Sequence, residues 1–300
     1  MRADWRFELA ERLINAADTA GAWGYRADSA GSAEPTALAA LALATMKLAP
    51  EHVAGALQWL AHLQRSDGAV PISAEAPSPH WPTALALLAW LRATPRHDQT
   101  FAAQAERATN WLLRARGRRI RPDPVAYDHD TALVGWPWAA GTHSWLEPTA
   151  YAILALRVAE KADHPRVREG VRLILDRALP DGGWNYGNPR VLEHVLRPFP
   201  ATTGVALAAL AGESRDERVN VALEYLAKEL RRLRAPLSLA WGLIGMRAWN
   251  AQPFEAQARL DDCARRVLDR PATPHYDALL LLAGGNACPL IDAPEARADE

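Results

Sequence analysis

The sequence predicts an all-α protein: an (α6/α6) barrel, that is, an α/α toroid of six helix-hairpin repeats. Three observations point there. A proline followed by a small or polar residue and an apolar run returns six times. Segments that are apolar nearly all round alternate with segments carrying one apolar stripe. A glycine–tryptophan connection recurs ahead of several of the prolines. Self-similarity of this kind marks a fold built from one supersecondary unit.

The clearest repeat starts are Glu34-Pro35-Thr36-Ala37-Leu38, Trp81-Pro82-Thr83-Ala84-Leu85 and Glu147-Pro148-Thr149-Ala150, with weaker copies at Pro200, Pro236 and Pro274. Their intervals of 47, 66, 52, 36 and 38 residues suit two helices and two connections. Proline is tolerated in the first turn of a helix, where its missing N–H would have had no partner. It also pushes the preceding residue out of the helical region, so each one marks a start. The runs that follow, such as 37–46 and 84–91, are apolar on all faces, as a helix buried on every side must be.

Between them lie six one-sided segments. In the second, Val53, Leu57, Leu60 and Leu63 recur at helical spacing while Glu51, His52 and Arg65 face elsewhere. The others fall near 3–17, 100–116, 165–178, 215–232 and 254–269. One-sided helices belong outside, packed on the buried six. A single toroid over residues 1–284 needs no linker, and 285–300 reads as a poorly ordered C-terminal tail.

The connections are alike as well. Gly21-Ala22-Trp23-Gly24-Tyr25 resembles Gly182-Gly183-Trp184-Asn185-Tyr186, and Gly135-Trp136-Pro137-Trp138 holds the same place in another repeat. The glycine is expected to allow a left-handed or tight backbone, and the tryptophan to fold over the helix end.

Composition narrows the function classes. Of 300 residues, 49% are apolar, and the net charge is -1, so no bulk field draws nucleic acid or an anionic membrane. Only three of the 34 basic residues are lysines. The longest uncharged apolar run, 37–46, is far short of the roughly 20 residues of a membrane span. The N-terminus mixes charged and apolar residues without the uninterrupted apolar stretch of a secretory signal. Cys263 and Cys288 make no disulfide framework, and a cytoplasmic protein is expected. Twelve tryptophans against four phenylalanines remain to be explained.

On these motifs the chain resembles the prenyltransferase and squalene-cyclase repeat superfamily, whose members build α/α toroids. Their signature QW motif runs glutamine, three residues, glycine, any residue, tryptophan. Gln64 to Val70 fits it, except that Val70 stands where tryptophan is expected. Trp23 and Trp184 supply the tryptophan, but Ala17 and Ala178 stand at the glutamine position. The Glu-Pro-Thr-Ala helix start is similar to helix starts in the same families.

The resemblance implies isoprenoid chemistry. Class II terpene cyclases start it with an Asp-X-Asp-Asp-Thr-Ala motif, in which a carboxylic acid protonates an alkene or epoxide. Such an acid must be kept protonated by burial beside a second carboxylate, within aromatic walls that stabilise carbocations. Neither match here is intact. Aligning on Thr149-Ala150 leaves only Glu147 as a carboxyl, with Trp145 and Pro148 at the other acidic positions. The alternative, Asp128-His129-Asp130-Thr131-Ala132, lies in a connection. Prenyltransferase-type zinc ligands would be Asp261, Cys263 and His275, but the stripe Leu260–Cys263–Val267 turns Asp261 away. No metal or cofactor is therefore expected, and Cys263 reads as a buried core residue.

The stretch 127–151 is the richest in chemistry. A pocket of carboxylates, imidazoles and indoles is the usual form of a site. The expected catalytic residues are Asp128 or Asp130 as proton donor, with Glu147 and His129 beside it. The expected ligand-binding residues are Trp81, Trp138, Trp145, His143 and Tyr127. A structural account competes. Asp128 and Asp130 would turn the chain, and Glu34 and Glu147 would each sit at a helix N-terminus because the dipole favours a carboxylate there. His80 and His275, at equivalent helix starts, either point into the barrel or bond to nearby backbone. The basic run Arg114 to Arg121 reads as a solvated helix end, with a diphosphate-holding patch as the alternative that the resemblance to prenyltransferases implies.

Three functions remain in play. One is a terpenoid-cyclase-like toroid taking an apolar isoprenoid ligand, with or without acid-initiated cyclisation. The others are a non-catalytic toroid for a protein partner, and a carbohydrate-active (α6/α6) enzyme.

Overall fold

The computed structural model describes residues 4–292 except 96, 122, 124–126 and 192–193. Twelve helices lie among them, in the order α1 (Trp5–Asn15), α2 (Ala33–Met46), α3 (Pro50–Leu63), α4 (Thr83–Arg92), α5 (Ala102–Arg114), α6 (Leu146–Val158), α7 (Pro165–Asp176), α8 (Pro200–Leu210), α9 (Glu217–Leu230), α10 (Pro236–Arg247), α11 (Ala256–Leu268) and α12 (Pro274–Gly284). A two-stranded antiparallel hairpin, β1 (Arg190–Val191) and β2 (His194–Val195), interrupts the α7–α8 connection.

The even-numbered helices pack each on the next, and α12 closes onto α2. Each odd-numbered helix packs on the outside of this ring. The architecture is the α/α toroid that the alternation of all-round and one-sided apolar segments predicts. No helix among the described residues is long and apolar enough to cross a membrane.

A repeated hydrogen-bond device joins outer to inner helices. The threonine at each of four inner starts accepts the backbone N–H of the connection: Thr36 from Trp23, Thr83 from Val70, Thr149 from Trp136 and Thr203 from Trp184, at 2.9–3.0 Å. The indoles of Trp23, Trp136 and Trp184 donate to the carbonyls of Leu13, Leu112 and Ile174 near the ends of α1, α5 and α7. They satisfy acceptors that a helix C-terminus leaves free. Val70 keeps the threonine bond and has no indole. The expected glycine geometry holds at Gly21, Gly68 and Gly182, whose φ is positive. Gly135 serves a different need: a Cβ there would lie 2.3 Å from the Thr149 hydroxyl.

The ring closes by side chains from both chain ends. Arg12 of α1 grips the fully buried Asp277 of α12 with two nitrogens and also donates to the Val267 and Arg270 carbonyls. The Trp5 indole reaches Asp261, and the Trp249 indole reaches the Leu207 carbonyl. Of the segment expected to be a tail, Cys288 and Leu290 are buried against the core, and Asp292 accepts from Arg247. Residues 293–300 lie outside the described residues.

Candidate functional site

The inner helices present their N-termini at one mouth, where chemistry collects. Glu34 enters on the first turn of α2, Glu147 on the first turn of α6, Thr202 on α8 and His275 on α12. Neither glutamate is the N-cap of its helix, where Ser32 and Trp145 stand, and the side-chain partners of both lie on other elements. The helix-dipole account of these two residues is therefore incomplete, because both turn toward other helices. The Tyr25 hydroxyl donates to Glu34 Oε2, and His275 Nε2 stands 3.3 Å from Glu34 Oε1. The Thr202 hydroxyl donates to Glu147 Oε1 at 2.8 Å. Pro200-Ala201-Thr202-Thr203 supplies two adjacent threonines, so Thr203 joins the connection while Thr202 is free for the glutamate.

Burial pushes the Glu147 carboxyl up to about 7, and the negative charge of Glu34 adds to the rise against the opposing Thr202 hydrogen bond. A carboxylic acid with this pKa is half protonated near neutrality, as a proton donor requires. Burial beside Glu34 also raises the Tyr25 phenol. Tyr151 follows Glu147 by four residues and shares its face of α6.

Aromatic rings continue from the mouth along the barrel. Trp138 meets Trp81 edge-on at 4.8 Å, Trp81 stacks on Tyr151 at 6.0 Å, and Tyr151 lies 5.8 Å from Trp241 of α10. Tyr151 and Trp241 are buried, whereas Trp81 and Trp138 are half-buried. These last two line a cavity of 330 Å³ with His80 and Trp111. His80 thus reaches this cavity and His275 reaches Glu34.

The remaining expected site residues lie elsewhere. Asp128 is exposed and paired with Arg190 at 2.6 Å. Asp130 is exposed, and its carboxylate accepts from the Ala132 N–H in a tight turn. Neither has the burial that the proton-donor chemistry needs, because each sits on the solvent side of the connection. Tyr127, His129 and His143 line a separate cavity of 250 Å³ with Arg177. The Trp145 ring lies tilted against His143, with centroids 4.4 Å apart, and its backbone N–H donates to the Trp136 carbonyl.

Sequence reasoning did not single out Tyr25, Thr202, Tyr151, Trp241 or Arg177. Only Tyr151 carried a usable signal, its four-residue spacing from Glu147. Among the described residues, no group of three or more His, Cys, Asp or Glu is arranged to hold a metal. Cys263 is buried, with its thiol near the Arg234 carbonyl.

A cavity of 820 Å³ opens at the opposite mouth between the C-terminal ends of α2, α4 and α6. Its charges are mixed, Lys47, Arg92 and Arg157 against Asp98, Glu160 and Asp292. Arg157 is already committed to the Ala209 and Ala211 carbonyls and to Glu213. The Glu34 and Glu147 carboxyls lie at the other end.

No protein-family model matches the chain. No curated protein matches it either. Solved structures do. The type II terpene cyclase MstE from Scytonema is 17% identical, with a TM-score of 0.58 over 90% of this chain and 79% of that one. A variant of the same enzyme in complex with its substrate geranylgeranyl dihydroxybenzoate gives a TM-score of 0.60 at 15% identity, over 90% and 79%. Salmonella alpha-2-macroglobulin reacted with methylamine matches 92% of this chain with 17% of its own, at 18% identity and a TM-score of 0.52. The fold is terpenoid cyclase-like.

Proposed function

We propose that the protein is an acid-initiated, class II cyclase-like enzyme acting on an apolar isoprenoid, with Glu147 rather than Asp128 or Asp130 as the proton donor. One observation carries the reading. Glu147 is a carboxyl with a pKa near 7, beside a second carboxylate and at the head of a line of aromatic rings.

In this mechanism the Glu147 O–H adds its proton to a terminal alkene or epoxide of the substrate. The resulting cation is attacked by the next double bond, and the final cation loses a proton to solvent or a base. Thr202 orients the Glu147 carboxyl. Glu34, held by Tyr25 and His275, keeps its negative charge close and so favours the protonated form of Glu147. Trp81 and Trp138 offer π faces to the cation at the cavity, with Tyr151 and Trp241 buried behind them. The 330 Å³ cavity at Trp81 and Trp138 is the entry side for the apolar chain.

The test is turnover of squalene, prenyl diphosphates and geranylgeranyl dihydroxybenzoate, followed by mass spectrometry in heavy water. A cyclised product carrying one deuterium at its first-protonated carbon is expected, and it should vanish in Glu147→Gln. Stabilisation by oligosaccharides alone, or full turnover by Glu147→Gln, would overturn the reading.

The burial of Tyr151 and Trp241 favours a second reading, a toroid that binds its ligand at the rim without turning it over. Isoprenoid binding with unchanged ligand in every reaction would select it.

A further inference from the structure

The 250 Å³ cavity on the outer side of the connection between α5 and α6 has no part in the proposed cyclisation. Its lining includes Arg118, Ile120, Tyr127, His129, Thr131, Leu133, His143 and Arg177. Besides Arg177 Nε, which faces Asp176, three polar atoms there are buried with no hydrogen-bond partner among the described residues: His129 Nδ1, Thr131 Oγ1 and His143 Nε2. Thr131 is only 5% exposed. Native proteins rarely leave such atoms unpaired, since each forfeits about 1–3 kcal/mol of solvation. Three around one cavity mark a ligand, or water standing in for one.

The sign of that ligand follows from the surrounding charges. Arg177 is 4% exposed, and its Nη1 is pinned on the Gly187 carbonyl. Its Nε stands 3.5 Å from Asp176. Asp128 and Asp130 act on His129 from outside, but among the described residues no carboxylate lines the cavity, whereas Arg118 and Arg177 do. Burial and the Arg177 charge hold both imidazoles below their usual pKa. Each is then neutral and can turn one N–H toward the cavity, beside the Thr131 O–H. The inward-facing groups are therefore donors around a fixed positive charge.

Size and wall complete the description. The volume would hold roughly eight waters or one compact organic molecule. Ile120, Leu133 and the Tyr127 ring, edge-on to His129 at 5.6 Å, form an apolar side.

We infer that this cavity is a binding site for a small organic oxyanion, a carboxylate or phosphate monoester on a compact apolar body, held by Arg177, Thr131, His129 and His143. The site is independent of Glu147 and stands or falls apart from the cyclase reading.

The experiment titrates the full chain with benzoate, phenyl phosphate and inorganic phosphate. Calorimetry measures affinity, and the ring-proton resonances of His129 and His143 report occupancy. Saturable binding of benzoate or phenyl phosphate is expected, with both resonances moving and both imidazole pKa values rising. The ring-bearing anion that binds identifies the head group. Thr131→Val breaks no hydrogen bond in the fold and should weaken binding about tenfold. Arg177→Met should abolish it. Because Arg177 also holds the 187 carbonyl, Thr131→Val keeps the test decisive if that variant unfolds. No saturable binding, inorganic phosphate binding as tightly as phenyl phosphate, or an unchanged Thr131→Val would overturn the proposal.

Discussion

At the barrel mouth Glu147 lies under the negative charge of Glu34, and its pKa rises to about 7. In the side cavity His129 lies under the positive charge of Arg177, and its pKa falls to about 4. Burial is the larger cause in both places, and the neighbouring charge has the same sign as the group it acts on. The outcome is a neutral acid in one region and a neutral imidazole in the other. An acid so held still carries its proton near neutrality, whereas imidazoles so held present N–H donors without charge. Two patches from one stretch of sequence thus suit opposite tasks.

The largest expected effect separates the mouth from the connection. Glu147→Gln should lower the initial cyclisation rate by about 10³-fold, within the range general acid catalysis supplies. Asp130→Asn should change it less than twofold. Comparable losses in the two would erase the distinction drawn between a half-buried and an exposed carboxyl.

Stability against pH gives the next effect. In the unfolded chain Glu147 ionises near pH 4.5, and in the folded chain near 7. Between these values the unfolded state loses its proton first, so folding stability falls as pH rises and stays reduced above 7. Glu147→Gln removes this penalty and should be more stable than the native chain at pH 8 by up to about 3 kcal/mol. Urea denaturation at pH 4.5, 6 and 8 should show the gap opening with pH. A constant gap would mean that the carboxyl is not perturbed.

His129 behaves in the reverse sense. Its folded pKa lies below the unfolded one, so stability is lost as pH falls from 6.5 toward 4. His129→Phe should flatten that acid-side decline. After discounting for partial exposure, a difference of about 1 kcal/mol at pH 5 is expected. The smallest effect is at Thr202, whose hydroxyl favours the ionised Glu147. Thr202→Val should move the Glu147 titration upward by less than about one unit, read by carboxyl carbon NMR. A downward movement would place the hydroxyl's influence elsewhere.

Much of the scaffold is legible in the chain because its cues are local. Pro35, Pro82 and Pro148 act on their own first turns, and the all-round apolar runs act through the 3.6-residue period. Three of the twelve tryptophans resolve as connection chemistry, since the indoles of Trp23, Trp136 and Trp184 answer helix ends within about 25 residues of them. The site was less legible. Asp128 and Asp130 attract notice because two carboxylates share a short motif, but exposure is set by what packs over them, which the motif does not encode. Glu34 gave only its helix-start position, and nothing near it in sequence announces Glu147 or His275.

The sequence by itself determined the repeat, the number and order of helices and which of them are buried, because helix starts and apolar stripes are written over a few neighbouring residues. Only the tertiary structure decided which charges meet. Closing six helices into a ring brings residues 34, 147, 202 and 275 to one mouth, and the same closure leaves 128 and 130 outside. Burial and Coulomb interaction depend on distance in space, and a ring makes neighbours of residues more than a hundred positions apart.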